Sequence, residues 1–168
     1  MANHAQRKEP VMAVELKGLS DNARKTSISE LNGRLADSIA LVLAVKQAHW
    51  NVKGRNFIAV HELFDTIHDN LRGHIDVMAE RVQQLDGVAI GTVQKVAGAS
   101  GVAEYPTDMT KAEDHIKALC ERYRDHGEKL RSAIDATDEA GDADTADIFT
   151  AASRSVDKDL WFMESHLE

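Results

Sequence analysis

The stretch KQAHWNVKGRNFIAVHELFD, residues 46–65, sets two imidazoles twelve residues apart, His49 and His61, and puts the carboxylate of Asp65 one helical turn after the second. Further along, HIDVMAE adds Asp76 and Glu80, again one turn apart. Imidazoles mixed with carboxylates suit iron, zinc or manganese, so the donor types point to a metal without selecting one. At 100° per residue, and with His61 as origin, Asp65 falls at about 40°, Asp76 at about 60° and Glu80 at about 100°, all on one helix face. Asp65 and Asp76 are nevertheless roughly 16 Å apart along the axis, whereas metal–ligand bonds are about 2 Å long. One chain does not close this site. Two copies close it if the helix packs antiparallel on its own copy across a two-fold axis. The Asp76/Glu80 end of one then faces the His61/Asp65 end of the other, and His49 approaches from the preceding helix.

Long helices must carry these residues. The chain has 168 residues, 43% apolar and 29% charged, with only two prolines and 5% aromatics, which favours one all-α domain with a sizeable core. Ser27-x-x-Glu30 reads as a capping box, and Ile28, Leu31, Leu35, Ile39, Val42 and Val45 continue at helical spacing toward Gly54. Asn56 is placed to cap a second helix, whose stripe runs from Val60 through Phe64, Ile67, Leu71, Met78 and Val82 to the stop signal Asp86-Gly87. That helix is about 30 residues, or roughly 45 Å, long. The glycine-rich GVAIGTVQKVAGASGVAEYPTD is a crossover with room for a short helix of its own. A third long helix is expected from about Thr110 to Ala136 and a fourth from about Asp144 to Leu167, with Gly141 in the turn between them. Residues 1–26 are then an arm and residues 27–168 the bundle domain. Trp161 is assigned to the core of the fourth helix, and the lone Cys120 to the apolar side of the third.

The net charge of −8 argues against a generally nucleic-acid-binding surface. The balance is uneven: the first 25 residues hold Arg7, Lys8, Lys17, Arg24 and Lys25 against Glu9, Glu15 and Asp21. A weakly basic arm precedes an acidic body. No apolar run approaches the ~20 residues of a membrane span, and the N-terminus lacks a secretory apolar core, so a cytoplasmic location is expected.

The first motif, followed by HIDVMAERVQQLDG, resembles the Dps family, the DNA-binding proteins from starved cells, which are miniature members of the ferritin superfamily. The similarity runs from about Ser27 to Leu167 and includes the ending TADIFTAASRSVDKDLWFMESHLE. Four long helices with one long central connection also follow the ferritin-like bundle rule, but no glutamate here has a histidine three residues later, so the usual di-iron site inside one bundle is absent. The resemblance implies a four-helix bundle with a short helix in the crossover, assembled as a hollow homo-dodecamer with ferroxidase sites at its two-fold interfaces. His49, His61 and Asp65 would be ligands from one chain, and Asp76 and Glu80 ligands from the other. The implied reaction is oxidation of Fe(II), typically by hydrogen peroxide, at two ions per site for which zinc would compete, followed by storage of ferric mineral. Such chemistry would protect the cell and its DNA from oxidative damage.

Other residues take secondary roles in this reading. Trp50, beside His49, is expected in the core, with packing against the site as the alternative. In the acidic turn DATDEAGDADTAD, Asp138, Glu139, Asp142 and Asp147 are candidates for the lining of a three-fold pore. DNA contact would fall to Arg7 and Lys8 of the arm, which implies weak, salt-sensitive binding; a nucleoid-compacting protein with secondary ferroxidase activity is the alternative function. His4, His68, His74, His115, His126 and His166 have no assigned role and are expected on the surface.

Overall fold

The computed structural model describes residues 16–167, in which all named secondary structure is helical. The helices are α1 (Asp21–Asn51), α2 (Phe57–Gln84), α3 (Val93–Ala99), α4 (Ala112–Ala140) and α5 (Ala143–Glu164). α1 packs on α2 and α4, and α4 on α5, which gives an all-α bundle with the short α3 in the crossover, as expected.

α1 begins earlier than the capping-box reading predicts. Ser20 is its N-cap, with Oγ accepting from the Ala23 N–H at 3.1 Å, and Asp21 in the first turn suits the positive end of the helix. Residues 21–26 are therefore helical rather than part of an arm. Ser27 lies inside the helix and is buried, and its hydroxyl donates to Asp142 at 2.7 Å instead of capping. Asn56 occupies the N-cap position of α2 without a side-chain capping bond. At the other end of α2 the left-handed residue is Asp86, at φ 62°, and not Gly87. Gly87 is required for closeness: a Cβ there would lie 2.9 Å from Val82 Cγ1 and 3.1 Å from Ile28 Cδ1. The α4–α5 turn uses Gly141 at φ 93°, with the Asp142 N–H returning to the Thr137 carbonyl at 2.9 Å.

The apolar stripes meet in a core that includes Leu31, Leu41, Phe64, Ile67, Met78, Leu119, Tyr123, Leu130 and Phe149. Cys120 is buried there with its thiol pushed up to about 11 by burial, consistent with an inert apolar role. The crossover is pinned by buried polar groups. Asp37 Oδ1 accepts from Ser100 Oγ at 3.1 Å and the Gly101 N–H at 2.7 Å, and the Arg122 guanidinium donates to the carbonyls of Ala103 and Glu104.

Several side chains depart from expectation. Trp161 is 62% exposed, because α5 turns Phe149, Ala152, Val156 and Met163 inward. Trp50 is 67% exposed and so lies outside this chain's core. His115 and His126 are buried rather than on the surface. Each sits on the inward face of α4, His115 beside Ile116 and His126 one turn from Leu130, and each has a hydrogen-bond partner: Tyr105 Oη at 2.7 Å and Ser38 Oγ at 3.1 Å respectively.

Candidate metal centre

Residues 52–56 turn the chain so that the first turns of α2 lie against the last turns of α1. This converts twelve residues of sequence separation into a stacked pair, with the His49 and His61 ring centroids 3.6 Å apart and the planes 22° from parallel. The rings are fixed reciprocally: His49 Nδ1 lies 3.0 Å from the His61 carbonyl oxygen, and His61 Nδ1 lies 2.9 Å from the His49 carbonyl oxygen. A carbonyl only accepts, so in the neutral rings each Nδ1 carries the proton and each Nε2 keeps its lone pair. That is how second-shell bonds prepare metal-ligating histidines. Phe57 packs beside His61 with centroids 5.0 Å apart.

Asp65 completes a trio whose ligand atoms all lie within 4.8 Å of one another. Its carboxylate is about half exposed. Lys46 Nζ donates to Oδ1 at 2.8 Å, and His49 Nδ1 is 3.3 Å from the same oxygen. The Lys46 hydrogen bond, with smaller help from neighbouring positive charge and against some desolvation, holds the Asp65 carboxyl below its ordinary 3.8. The carboxylate is thus ready to bind a cation at neutral pH. Lys46 Nζ is also 5.8 Å from the centroid of the Trp50 ring.

Asp76 and Glu80 lie further along α2, both exposed, and are not part of the trio. The structure therefore brings three of the five candidate ligands together in one chain and leaves the other two on the same helix beyond their reach. Asp76 borders an open cleft shared with Asp69, Arg72, Gly73 and Ile75.

Among the acidic candidates at the α4–α5 turn, Asp138, Glu139 and Asp147 are exposed, but Asp142 is 2% exposed and unsuited to a pore lining. It is the N-cap of α5, accepting from the Thr145 N–H at 3.1 Å and Thr145 Oγ1 at 2.6 Å, and it also holds Ser27 Oγ and Arg81 Nη2 at 2.7 and 2.8 Å. The Asp-x-x-Thr spacing directly after Gly141 is the sequence signal for that cap. Arg7, Lys8 and His4 lie outside the described residues.

A four-helix bundle with a helix in its crossover and an imidazole–carboxylate trio on its surface is a ferritin-like protein, and residues 28–168 match the family described as Ferritin-like domain. Within the ferritin superfamily the chain belongs to the Dps family. It is 54% identical over 150 residues to the DNA protection during starvation protein of Agrobacterium fabrum, covering 89% of this chain and 93% of that one. A Mycobacterium smegmatis Dps structure superposes with a TM-score of 0.88 at 30% identity, covering 94% of this chain and 95% of that one. The Dps of Microbacterium arborescens, solved in a high iron form, gives a TM-score of 0.82 at 34% identity over 88% of this chain and 96% of that one. No described helix is long and apolar enough to cross a membrane.

Proposed function

We propose that this protein is a ferroxidase and iron store, with Fe(II) as its substrate and hydrogen peroxide as its oxidant. The observation that carries this reading is the trio of His49, His61 and Asp65, with both rings oriented by reciprocal bonds so that an Nε2 lone pair is available on each. Two imidazole nitrogens and one carboxylate fit a divalent iron ion but leave it short of ligands, and zinc would compete for the same set. Asp76 and Glu80 of a second copy, brought opposite by an antiparallel pairing of α2, supply further carboxylates and room for two ions. Two Fe(II) ions give one electron each; peroxide takes both electrons and two protons, its O–O bond breaks, and two waters leave. No hydroxyl radical is released. The ferric product is stored as mineral in a hollow dodecamer, and DNA is protected through the removal of both reactants. Asp65 is about half exposed in the single chain, which leaves its carboxylate free to face the carboxylates of a second copy. The high iron form of the Microbacterium arborescens relative and the name of the Agrobacterium one support the same reading.

Complementation between inactive variants tests it. One variant carries His61→Ala with Asp65→Ala and the other Asp76→Ala with Glu80→Ala, and neither alone oxidises Fe(II) rapidly. Co-assembled at random, half the dimers are mixed and each has one intact site, so about a quarter of wild-type activity returns by the symmetry of the interface. A site held within one chain would return none. Zero recovery in assemblies that mass spectrometry shows to be mixed sinks the proposal.

A further inference from the structure

The same register that closes the metal site places other residues of α2 opposite one another. An antiparallel copy that sets Glu80 against His61 also sets Asp76 against Asp65, because both pairs are centred between residues 70 and 71. Arg72 then stands opposite the partner's Asp69, and by symmetry Asp69 opposite the partner's Arg72. On the wheel used for the ligands, Arg72 falls at about 20° and Asp69 at about 80°, inside the sector that His61 and Glu80 bound. Both residues are exposed. The ion pairs made by α2 involve Asp65, His68 with Asp69, and Arg81, which leaves Arg72 unpaired among the described residues and gives Asp69 only the adjacent imidazole.

Gly73 is a second and independent observation. Glycine is among the least favourable residues inside a helix, yet Gly73 sits in the middle of α2, and nothing lies within 4 Å of where its Cβ would be. The fold of the single chain gives no reason for it. Gly73 lines the open cleft bordered by Asp69, Arg72, Ile75 and Asp76, and on the same wheel it falls at about 120°, just past the Glu80 edge of the ligand sector. A bare backbone at that point lets two helices approach closely.

We infer that α2 is a self-complementary face locked in register by two reciprocal Asp69–Arg72 ion pairs across a two-fold axis, with a second copy of this chain seated in the cleft at Gly73. The inference rests on the shared-site reading above and adds what fixes the register: a slip by one turn in either direction separates both ion pairs and both ligand sets together. The charges do more for specificity of pairing than for raw affinity.

Charge reversal distinguishes this lock from an ion pair within one helix, since Asp69 and Arg72 are also one turn apart. In D69R each Arg72 meets an arginine, in R72E each Asp69 meets a glutamate, and the double variant D69R/R72E restores both pairs with reversed polarity. A mixed dimer of D69R with R72E restores both pairs across the axis while every chain still carries two like charges. Sedimentation over a dilution series is expected to show self-association of each single variant weakened about tenfold or more, with recovery in the double variant. The co-expressed single variants should recover as well, with native mass spectrometry giving a one-to-one composition. Single variants that associate like wild type overturn the inference. So does recovery of the double variant without recovery of the mixture, which assigns the pair to one helix, and so does a wild-type chain that stays monomeric, which assigns the face to another partner. Fe(II) oxidation by the wild-type assembly is read separately: its absence alongside the expected association pattern removes the ferroxidase reading and leaves the register standing.

Discussion

Asp65 and Asp142 serve the two ends of α2 and have opposite surroundings. Asp142 faces Arg81 near the C-terminal end of the helix, is buried, and has its oxygens taken by Ser27, Thr145 and Arg81. Burial pushes its carboxyl up, but the bonds from Thr145 and Ser27 and the Arg81 charge outweigh that and hold it below 3.8. Asp65, near the other end, is about half exposed, and Lys46 is its principal partner. A carboxylate whose acceptor capacity is met inside the fold stabilises the fold. One left in reach of solvent beside two oriented imidazoles is available to a ligand.

The sharpest way to break this contrast is to remove each acid in turn. Asp142→Ala leaves the buried Arg81 guanidinium with only the exposed Asp144 carboxylate 3.8 Å away and α5 without its cap, and is expected to destabilise the chain by about 3–5 kcal/mol. Asp65→Ala removes a half-exposed carboxylate whose main partner is the Lys46 ammonium, and should change stability by no more than about 1 kcal/mol. Its effect falls on chemistry, where loss of a ligand should slow Fe(II) oxidation on the order of 100-fold or more, since even outer partners of metal ligands are worth about 10–100-fold. Urea unfolding and stopped-flow oxidation of the two variants check both halves. A stable, iron-active Asp142→Ala protein would erase the distinction.

The buried side of the comparison can be sharpened with pH. His126 is held neutral between Ser38, Asp37, Arg34 and Lys129, and burial pushes its pKa down to about 4, against 6.5 unperturbed. A group with a depressed folded pKa that is charged when protonated favours the unfolded state as acid is added. Stability is therefore lost as pH falls from about 6.5 and stops falling on this account below about 4, by up to about 3 kcal/mol in all. His126→Gln keeps a neutral polar side chain and should flatten that part of the profile. Urea midpoints at several pH values give the slope, and an unchanged slope in the variant would assign the acid sensitivity to other groups.

How much of this was legible in the sequence differs between the two ends for a physical reason. The helical stripes fixed the order of the helices, since burial follows the 3.6-residue period, and the short α3 followed from the length of the crossover. The trio was legible too: one turn between His61 and Asp65 is a local spacing, and His49 needed only the reversal after Gly54. Asp142 was misread because its partners Ser27 and Arg81 are 115 and 61 residues away, so an acidic run on paper conceals one buried member. Ser27 misled in the same way, its hydroxyl serving a distant acid while Ser20 caps the helix. His126 was readable from its place between Tyr123 and Leu130 on the α4 stripe, and Trp161 from its displacement off the stripe of Phe149, Val156 and Met163. Exposure of Trp50 was harder to read, because it directly follows the buried His49 in the last turn of α1 and an aromatic there looks like a core residue.

The smallest expected effect concerns the exposed end itself. Lys46 takes the Asp65 oxygen that an incoming cation needs, so the ammonium and the metal compete for one carboxylate. Removing the lysine does not cost the carboxylate its charge, because an ordinary aspartate at 3.8 is already ionised at neutral pH. Lys46→Met keeps the aliphatic stem against Trp50 and removes both the competitor and its repulsion of a divalent ion. The expected result is a few-fold tightening, since an exposed ion pair contributes about 0–1 kcal/mol. Titration with Co(II), which hydrogen peroxide need not accompany, reads this by calorimetry without turnover. The gain should shrink between low and high salt as screening weakens the native pair. If Lys46 instead mainly holds the Asp65 side chain in place, Lys46→Met weakens Co(II) binding, and the two accounts part on the sign of one measurement.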